Sequence, residues 1–298
     1  MFTSYNCSKN NAVAFLGGLH CEIPKMVGVA LWKVGTTFPS NFGKTELDAL
    51  IQEGGFIGSV MGDSIENNNT EPTYAESIMK VRRETDGGRK GFTVKFDKSP
   101  CFQNELNKLN NSENWAFTPV LEDGSLFAYE SNDGVRKPFA SKLFVGMFML
   151  GIMGVEEKGS TLQIDLMPKS LYSWQNNGVV ITNDEIDFTE VNPIAGVNIT
   201  LPILTATDVT TAVSVSNLCS DSDIVGLTTV GMWKIERNGV LEAPSAVSYN
   251  AGTAKYTLTH SAYVAGQKIR VLLYENGNDI VILDTNYYGG SSAIKTVV

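Results

Sequence analysis

The stretch WAFTPVLEDGSLFAYES, Trp115 to Ser131, decides how the first part of this chain is read. Two runs rich in aromatic and apolar residues flank Glu122-Asp123-Gly124-Ser125. Asp can bond its own backbone two residues on and Gly supplies positive φ, so the pair of runs predicts an antiparallel hairpin. The same grammar recurs outward in KMVGVALWKVG (25–35), ESIMKVRRE (76–84), GFTVKFD (91–97), ASKLFVGMFMLGIM (140–153) and STLQIDLMP (160–168). Between them DGGR, SNDG and EEKGS have turn composition, so the sheet is expected to be largely antiparallel.

Two helices stand among these strands. TELDALIQEGG (45–55) offers Thr45 as N-cap, Leu47, Leu50 and Ile51 as an apolar stripe, and Gly54-Gly55 as a stop. SPCFQNELNKLNN (99–111) offers Ser99 as N-cap, Pro100 at the first helical position, and Phe102, Leu106 and Leu109 on one face. Helices with one apolar face lie on a sheet, so the expected class is mainly β (α+β): an antiparallel β-sandwich or barrel with one or two flanking helices.

Near FTEVNPIAGVNITLPILTATDVTTAVSVSN (188–217) the texture changes to short alternating runs of Thr, Val, Ser, Tyr and Gly. Asn192-Pro193 and Ala195-Gly196 punctuate the change, which divides the chain into domains 1–196 and 197–298. The second part carries short strand patterns roughly 8–12 residues apart, with Asn-Gly turns at Asn238-Gly239 and Asn276-Gly277, as in an immunoglobulin-like β-sandwich. Trp233 is the expected core aromatic. Only Cys219 falls in this part, so the likeness to antibody domains is one of architecture.

Composition excludes several functions. A net charge of -9 disfavours a surface that grips nucleic acid, because phosphate binding needs clustered cations; an acidic wall that DNA passes without sticking fits better. Cys7, Cys21, Cys101 and Cys219 lack CxxC spacing, and free thiols are expected. The N-terminal residues show no signal-peptide pattern. LFVGMFMLGIMGV (143–155) is too short to span a bilayer and reads as a strand buried on both faces or packed against a neighbouring subunit.

Chemistry is sparse. His20 and His260 stand outside any metal-ligand spacing and read as buried or turn histidines. Asp184, Glu185, Asp187 and Glu190 lack the glycine-centred loop of an EF-hand and read as a solvated acidic linker. GGFIGSVMG (54–62) lacks the lysine of a P-loop, and GGSS (289–292) is no nucleophile elbow. No nucleophile has a matched base, so neither an enzyme nor a cofactor or metal is expected.

The remaining feature is VRRETDGGRKGFTVKF (81–96). Lys80, Arg82, Arg83, Arg89, Lys90 and Lys95 surround the Asp86-Gly87-Gly88 turn in an otherwise acidic chain. As a two-stranded arm it would meet the acidic surface of another copy, with Ile78, Val81, Phe92, Val94 and Phe96 adding apolar contact. Exposed ion pairs contribute only about 0–1 kcal/mol each, so apolar burial or backbone pairing is required as well.

The order of this hairpin, GFTVKF, the helix CFQNELNKLNN, WAFTPVLEDGSLFAY and FASKLFVGMFMLGIMGVEEKGSTLQIDLM resembles that of bacteriophage tail-tube and virion-ring proteins, over roughly residues 1–174. The resemblance implies a homo-oligomeric ring or stack of rings, with other virion proteins as neighbours. DNA would pass through without specific binding, and no membrane is involved. It further implies assembly in the host cytoplasm, residence in the virion, and an immunoglobulin-like domain on the outside. The alternative is a virion module that binds carbohydrate or a host surface through Tyr287 and Tyr288.

Overall fold

The computed structural model describes residues 2–6, 23–76, 82–86, 88–151 and 158–298. They form two compact units, Met1–Leu47 with Gly54–Val191 and Asp48–Glu53 with Asn192–Val298. The chain is mainly β with antiparallel sheets. Its elements up to the second unit are β1 (Phe2–Asn6), β2 (Met26–Lys33), α1 (Lys44–Gln52), β3 (Phe56–Met61), β4 (Ser64–Asn67), β5 (Thr73–Glu76), β6 (Arg82–Asp86), β7 (Gly91–Phe96), α2 (Pro100–Leu106), β8 (Trp115–Leu121), β9 (Leu126–Glu130), β10 (Arg136–Lys137), β11 (Phe139–Val145), β12 (Ser160–Leu166), α3 (Pro168–Asn176) and β13 (Gly178–Asn183).

The pairings close a barrel. β2 pairs with β3, and Gly62-Asp63 lead directly from β3 into β4. β4 pairs with β7, β7 with β12, β12 with β11, β11 with β8, and β8 returns to β2. Strand alternation turns one side of each strand inward: Val29 and Leu31, Phe92 and Val94, Phe117, Leu143, Leu162 and Ile164 are all buried in one cluster. The other face of β2 is covered too, since Trp32 stacks on Phe56 with ring centroids 3.9 Å apart and meets Phe38, Phe42 and Phe188 edge-on. β9, β13 and β1 extend the sheet from β8.

The turn in WAFTPVLEDGSLFAYES forms as read: Gly124 takes φ 78°, and Leu121 and Ser125 close it through Leu121 N–H to Ser125 O at 2.9 Å. Ser99 caps α2, its hydroxyl accepting from Phe102 N–H at 3.5 Å, with Pro100 at the first position. Helix α1 begins two residues earlier than Thr45 as N-cap predicts. Gly43 takes the cap, because Glu46 reaches back to accept from Gly43 N–H at 2.9 Å. Helix α3 is absent from the sequence reading; its signal is Pro168 at the first helical position, directly after a strand. Trp174 of α3 packs on Phe127 and Phe139, each with ring centroids 4.8 Å away.

Two expectations are corrected. Residues 143–155 do not make a strand buried on both faces: β11 ends at Val145, and beyond it Met147 is 90% and Leu150 76% exposed. Gly146 stops the run, and residues 152–155 lie outside the described residues. Cys101 and Cys219 are not free thiols but disulfide-bonded. Sequence separation says nothing of the Cα–Cα distance that permits a bridge, so scattered spacing carried no signal. Cys7 and Cys21 lie outside the described residues.

The second unit consists of β14 (Ala195–Thr200), β15 (Thr210–Asn217), β16 (Trp233–Arg237), β17 (Val240–Glu242), β18 (Ala246–Asn250), β19 (Lys255–Thr259), β20 (Lys268–Leu273), β21 (Ile280–Leu283), β22 (Asn286–Gly289) and β23 (Lys295–Thr296). Its first strand opens at Ala195, two residues ahead of the 196/197 division. One sheet has the order β18-β19-β15-β14-β22-β21 and the other β17-β16-β20-β23. Inward residues of both, among them Val213, Val215, Tyr256 and Leu258 against Trp233, Ile235 and Val271, share one core. Asn238 (φ 50°) and Gly239 (φ 89°) both occupy the left-handed region, as a two-residue β16–β17 hairpin turn requires.

Candidate assembly surface

The arm is built differently from the sequence reading. β6 pairs with β5, not with β7, and β7 is a wall strand of the barrel between β4 and β12. Asp86-Gly87-Gly88 therefore lies at the base of the ribbon. There Thr70 and Arg89 exchange two backbone hydrogen bonds of 2.8 and 3.0 Å. Gly88 has φ 73°, and a Cβ on it would stand 2.5 Å from Thr70 O, so glycine is required.

Taking β5 as the partner changes the electrostatics. Within residues 71–88 the cations Lys80, Arg82 and Arg83 are balanced by Glu71, Glu76, Glu84 and Asp86. Glu76 lies directly opposite Arg82 and Tyr74 opposite Glu84. The ribbon is not a basic arm. Its β5 strand is exposed at all four residues, Tyr74 by 58%. Lys80, with Ile78 and Val81, falls outside the described residues.

The other proposed contact residues are engaged in the barrel. Phe92 (6% exposed) and Phe96 (1%) belong to its core and are unavailable for docking, since strand alternation turns them inward. Arg89 Nη1 donates to Asp165 Oδ2 at 3.2 Å. Lys90 Nζ lies 5.3 Å from the Phe92 ring centroid and 5.2 Å from that of Trp174, and burial lowers its pKa. The structure thus brings Arg82, Arg83 and Asp86 together on one strand but separates them from Phe92 and Phe96. Tyr287 is buried, and Tyr288 is half-buried against the core of the second unit, so neither forms an exposed aromatic surface.

Three clefts open on the barrel unit. One of about 390 Å³ is lined by Asp123, Asp184, Glu185, Asp187 and Glu190. Its carboxylates serve local turns, Asp187 Oδ1 accepting from Thr189 N–H at 2.8 Å and Asp123 Oδ1 from Ser125 N–H at 3.1 Å. Among the described residues no three His, Cys, Asp or Glu converge as metal ligands. The second, of about 800 Å³, is lined by Asp63, Lys95, Asp97, Met149 and Lys158. The third, of about 310 Å³, is apolar, with Ile23, Met26, Leu121, Phe127 and Trp174 beside Lys90.

The densest polar cluster lies elsewhere, in the second unit. Arg237 Nη2 approaches His260 Nδ1 at 3.2 Å and donates to Ser261 O at 2.7 Å, while Nη1 donates to Ala262 O at 3.2 Å. His260 Nδ1 also lies 2.8 Å from Ser261 O, Nε2 lies 2.8 Å from Thr211 Oγ1, and Thr211 Oγ1 lies 2.9 Å from Tyr263 Oη. Glu242 Oε2 stands 3.1 Å from Arg237 Nε. Burial and then the Arg237 charge lower the His260 pKa, against the carbonyl of Ser261 and the carboxylates of Asp208 and Glu242. Thr211 and His260 resemble a nucleophile and base, but Thr211 is 2% exposed and its hydroxyl is held between His260 Nε2 and Tyr263 Oη. The cluster ties β15, β16 and the loop after β19 together.

No helix among the described residues is long and apolar enough to cross a membrane. No protein-family model matches this chain, and no curated protein matches it.

Proposed function

We propose that this chain is a structural virion protein that associates with copies of itself into rings or a tube, part of a phage tail or neck conduit for DNA. The observation that carries the proposal is the β5–β6 ribbon. A closed barrel hides the edges of its wall strands, whereas this ribbon leaves the wall as a two-stranded sheet among the described residues, with β5 fully exposed. An isolated two-stranded ribbon is marginally stable in water, so a neighbour that adds a strand stabilises it. The same heterologous contact repeated about an axis gives a ring.

Further features support the reading. The second unit orders its strands as D-E-B-A and C′-C-F-G of an immunoglobulin-type sandwich, with the β21–β22 hairpin added beside strand A, which suits a domain carried outside a tube. The net charge of -9 suits a wall that DNA passes without adhering. Disulfides at Cys101 and Cys219 suit a particle that persists outside the reducing cytosol.

The test is negative-stain electron microscopy and light scattering of the full chain across a concentration series. Rings or tubes are expected, and Arg82→Glu with Arg83→Glu is expected to disfavour them, because it sets glutamate opposite Glu76. A monomer at every concentration would overturn the proposal.

A further inference from the structure

Three exposed apolar residues, Met147 (90%), Met149 (43%) and Leu150 (76%), crowd into four positions just beyond β11. Single exposed hydrophobes are ordinary on any surface; three adjacent ones form a patch. The segment is held in place by backbone bonds, Gly146 N–H to Thr161 O at 3.0 Å and a reciprocal pair between Met149 and Gly159 at 2.9 Å. It therefore stands as a fixed apolar knob at the end of the barrel where β11 stops and β12 starts.

The apolar cleft lies at the opposite end. β7 shows this directly: its last residue, Phe96, lines the cleft shared with Met149, while Phe92 near its start lines the apolar cleft with Lys90 and Trp174. About 13 Å of strand separates Phe92 from Phe96. A molecule cannot place its own knob in its own cleft; a second copy can.

Charge favours the same pairing. Lys90 lies over aromatic rings with no carboxylate partner among the described residues, so its ammonium stands unmatched at the cleft. Asp63, exposed and sharing a cleft with Met149, has no cation partner among the described residues; its carboxylate accepts only from Asp97 N–H. An unmatched anion flanks the knob and an unmatched cation flanks the hole.

The geometry points to a head-to-tail contact in which Met147 and Leu150 of one copy enter the cleft beside Trp174 of the next, with Asp63 approaching Lys90. The cleft, about 310 Å³, is of the size that admits small apolar groups. Knob and hole are different surfaces of one chain, so the contact is heterologous and propagates as a stack of barrels along their axis. This inference rests on the self-association proposed above and names the surface that would stack the copies.

The experiment uses two full-length variants. Met147→Asp with Leu150→Asp removes the knob, and Ile23→Asp, at an exposed rim position, blocks the cleft. Circular dichroism and thermal melting check that both fold. By sedimentation velocity each variant alone should require at least about tenfold more protein than wild type to associate, since each loses the burial of one or two large side chains. In an equimolar mixture axial association should stop two copies deep, one intact knob filling one intact cleft. If wild type associates and the knob variant associates equally well, the stacking contact is overturned and the ring proposal stands. If wild type stays monomeric throughout, the self-association proposal falls, and the contact with it.

Discussion

Acidification should destabilise the second unit through His260. The residue is 8% exposed and neutral, with Arg237 Nη2 3.2 Å from Nδ1 and Thr211 Oγ1 2.8 Å from Nε2, so a second proton would place two cations in contact. Its folded pKa is lowered, whereas in the unfolded chain it takes the ordinary histidine value near 6.5. The unfolded state thus binds a proton that the folded state refuses. Stability is full above pH 6.5 and falls as pH drops below it, by at most about 1.4 kcal/mol per pH unit. Between pH 7.5 and 5.5 the loss is at most about 1.4 kcal/mol, which for a unit of this size lowers Tm by no more than roughly 5–10 °C. Calorimetry of the full chain at pH 7.5, 6.5 and 5.5 should show that drop in wild type and not in His260→Gln. Glutamine keeps a donor and an acceptor at this position but does not titrate, and the carboxylates common to both proteins cancel in the difference. An imidazole titration by NMR gives the pKa itself. Equal pH slopes in the two proteins, or a His260 pKa at or above 6.5, would refute the neutral-histidine network.

Two further outcomes follow from the structure. Cys101 and Cys219 should resist alkylation in the folded, unreduced protein and label after reduction, read by intact mass and peptide mapping; each bridge lost should cost about 2–4 kcal/mol of stability. Trp233→Ala should destabilise the second unit by about 3–5 kcal/mol in denaturant melts, because Trp233 is fully buried and its Nε1–H donates to Leu227 O at 2.8 Å.

Local chemistry was legible where one residue type decides one conformation. Asn238-Gly239, Gly124 and Ser99-Pro100 each specify a turn or cap through their own backbone preferences, and each forms where the sequence places it. Strand partners were less legible. GFTVKF and RRETD are adjacent and joined by Asp86-Gly87-Gly88, so a hairpin between them is the local expectation; the structure pairs each with a different strand. Barrel closure decides this: β7 gains a neighbour on each side, β4 and β12, and buries Phe92, Val94 and Phe96, a return that the single β6 pairing cannot offer. The exposed aromatics read into Tyr287 and Tyr288 failed for the related reason that strand alternation places Tyr287 inside. The His260 cluster was illegible, because its members lie at positions 211, 237, 260 and 263 and meet only after two sheets have packed.

The ribbon's charge balance bears on what kind of contact it can make. Read alone, Lys80 to Lys90 is basic and invites an electrostatic partner; read with β5, the ribbon sequence carries as many carboxylates as cations or more, and the register sets Glu76 opposite Arg82. Exposed cross-strand pairs of that kind contribute little stability but discourage indiscriminate docking of a charged surface. What the ribbon still offers is backbone: the edges of a two-stranded sheet, where strand addition specifies direction and register and is insensitive to salt in a way that ion pairs are not. On the proposed assembly, lateral contact between copies then depends on strand addition at the ribbon and axial contact on apolar burial at Met147 and Leu150. Salt should weaken neither strongly. Changes to side chains at the knob act along the axis, while a substitution that distorts the ribbon base, where Gly88 admits no Cβ beside Thr70, acts around the ring.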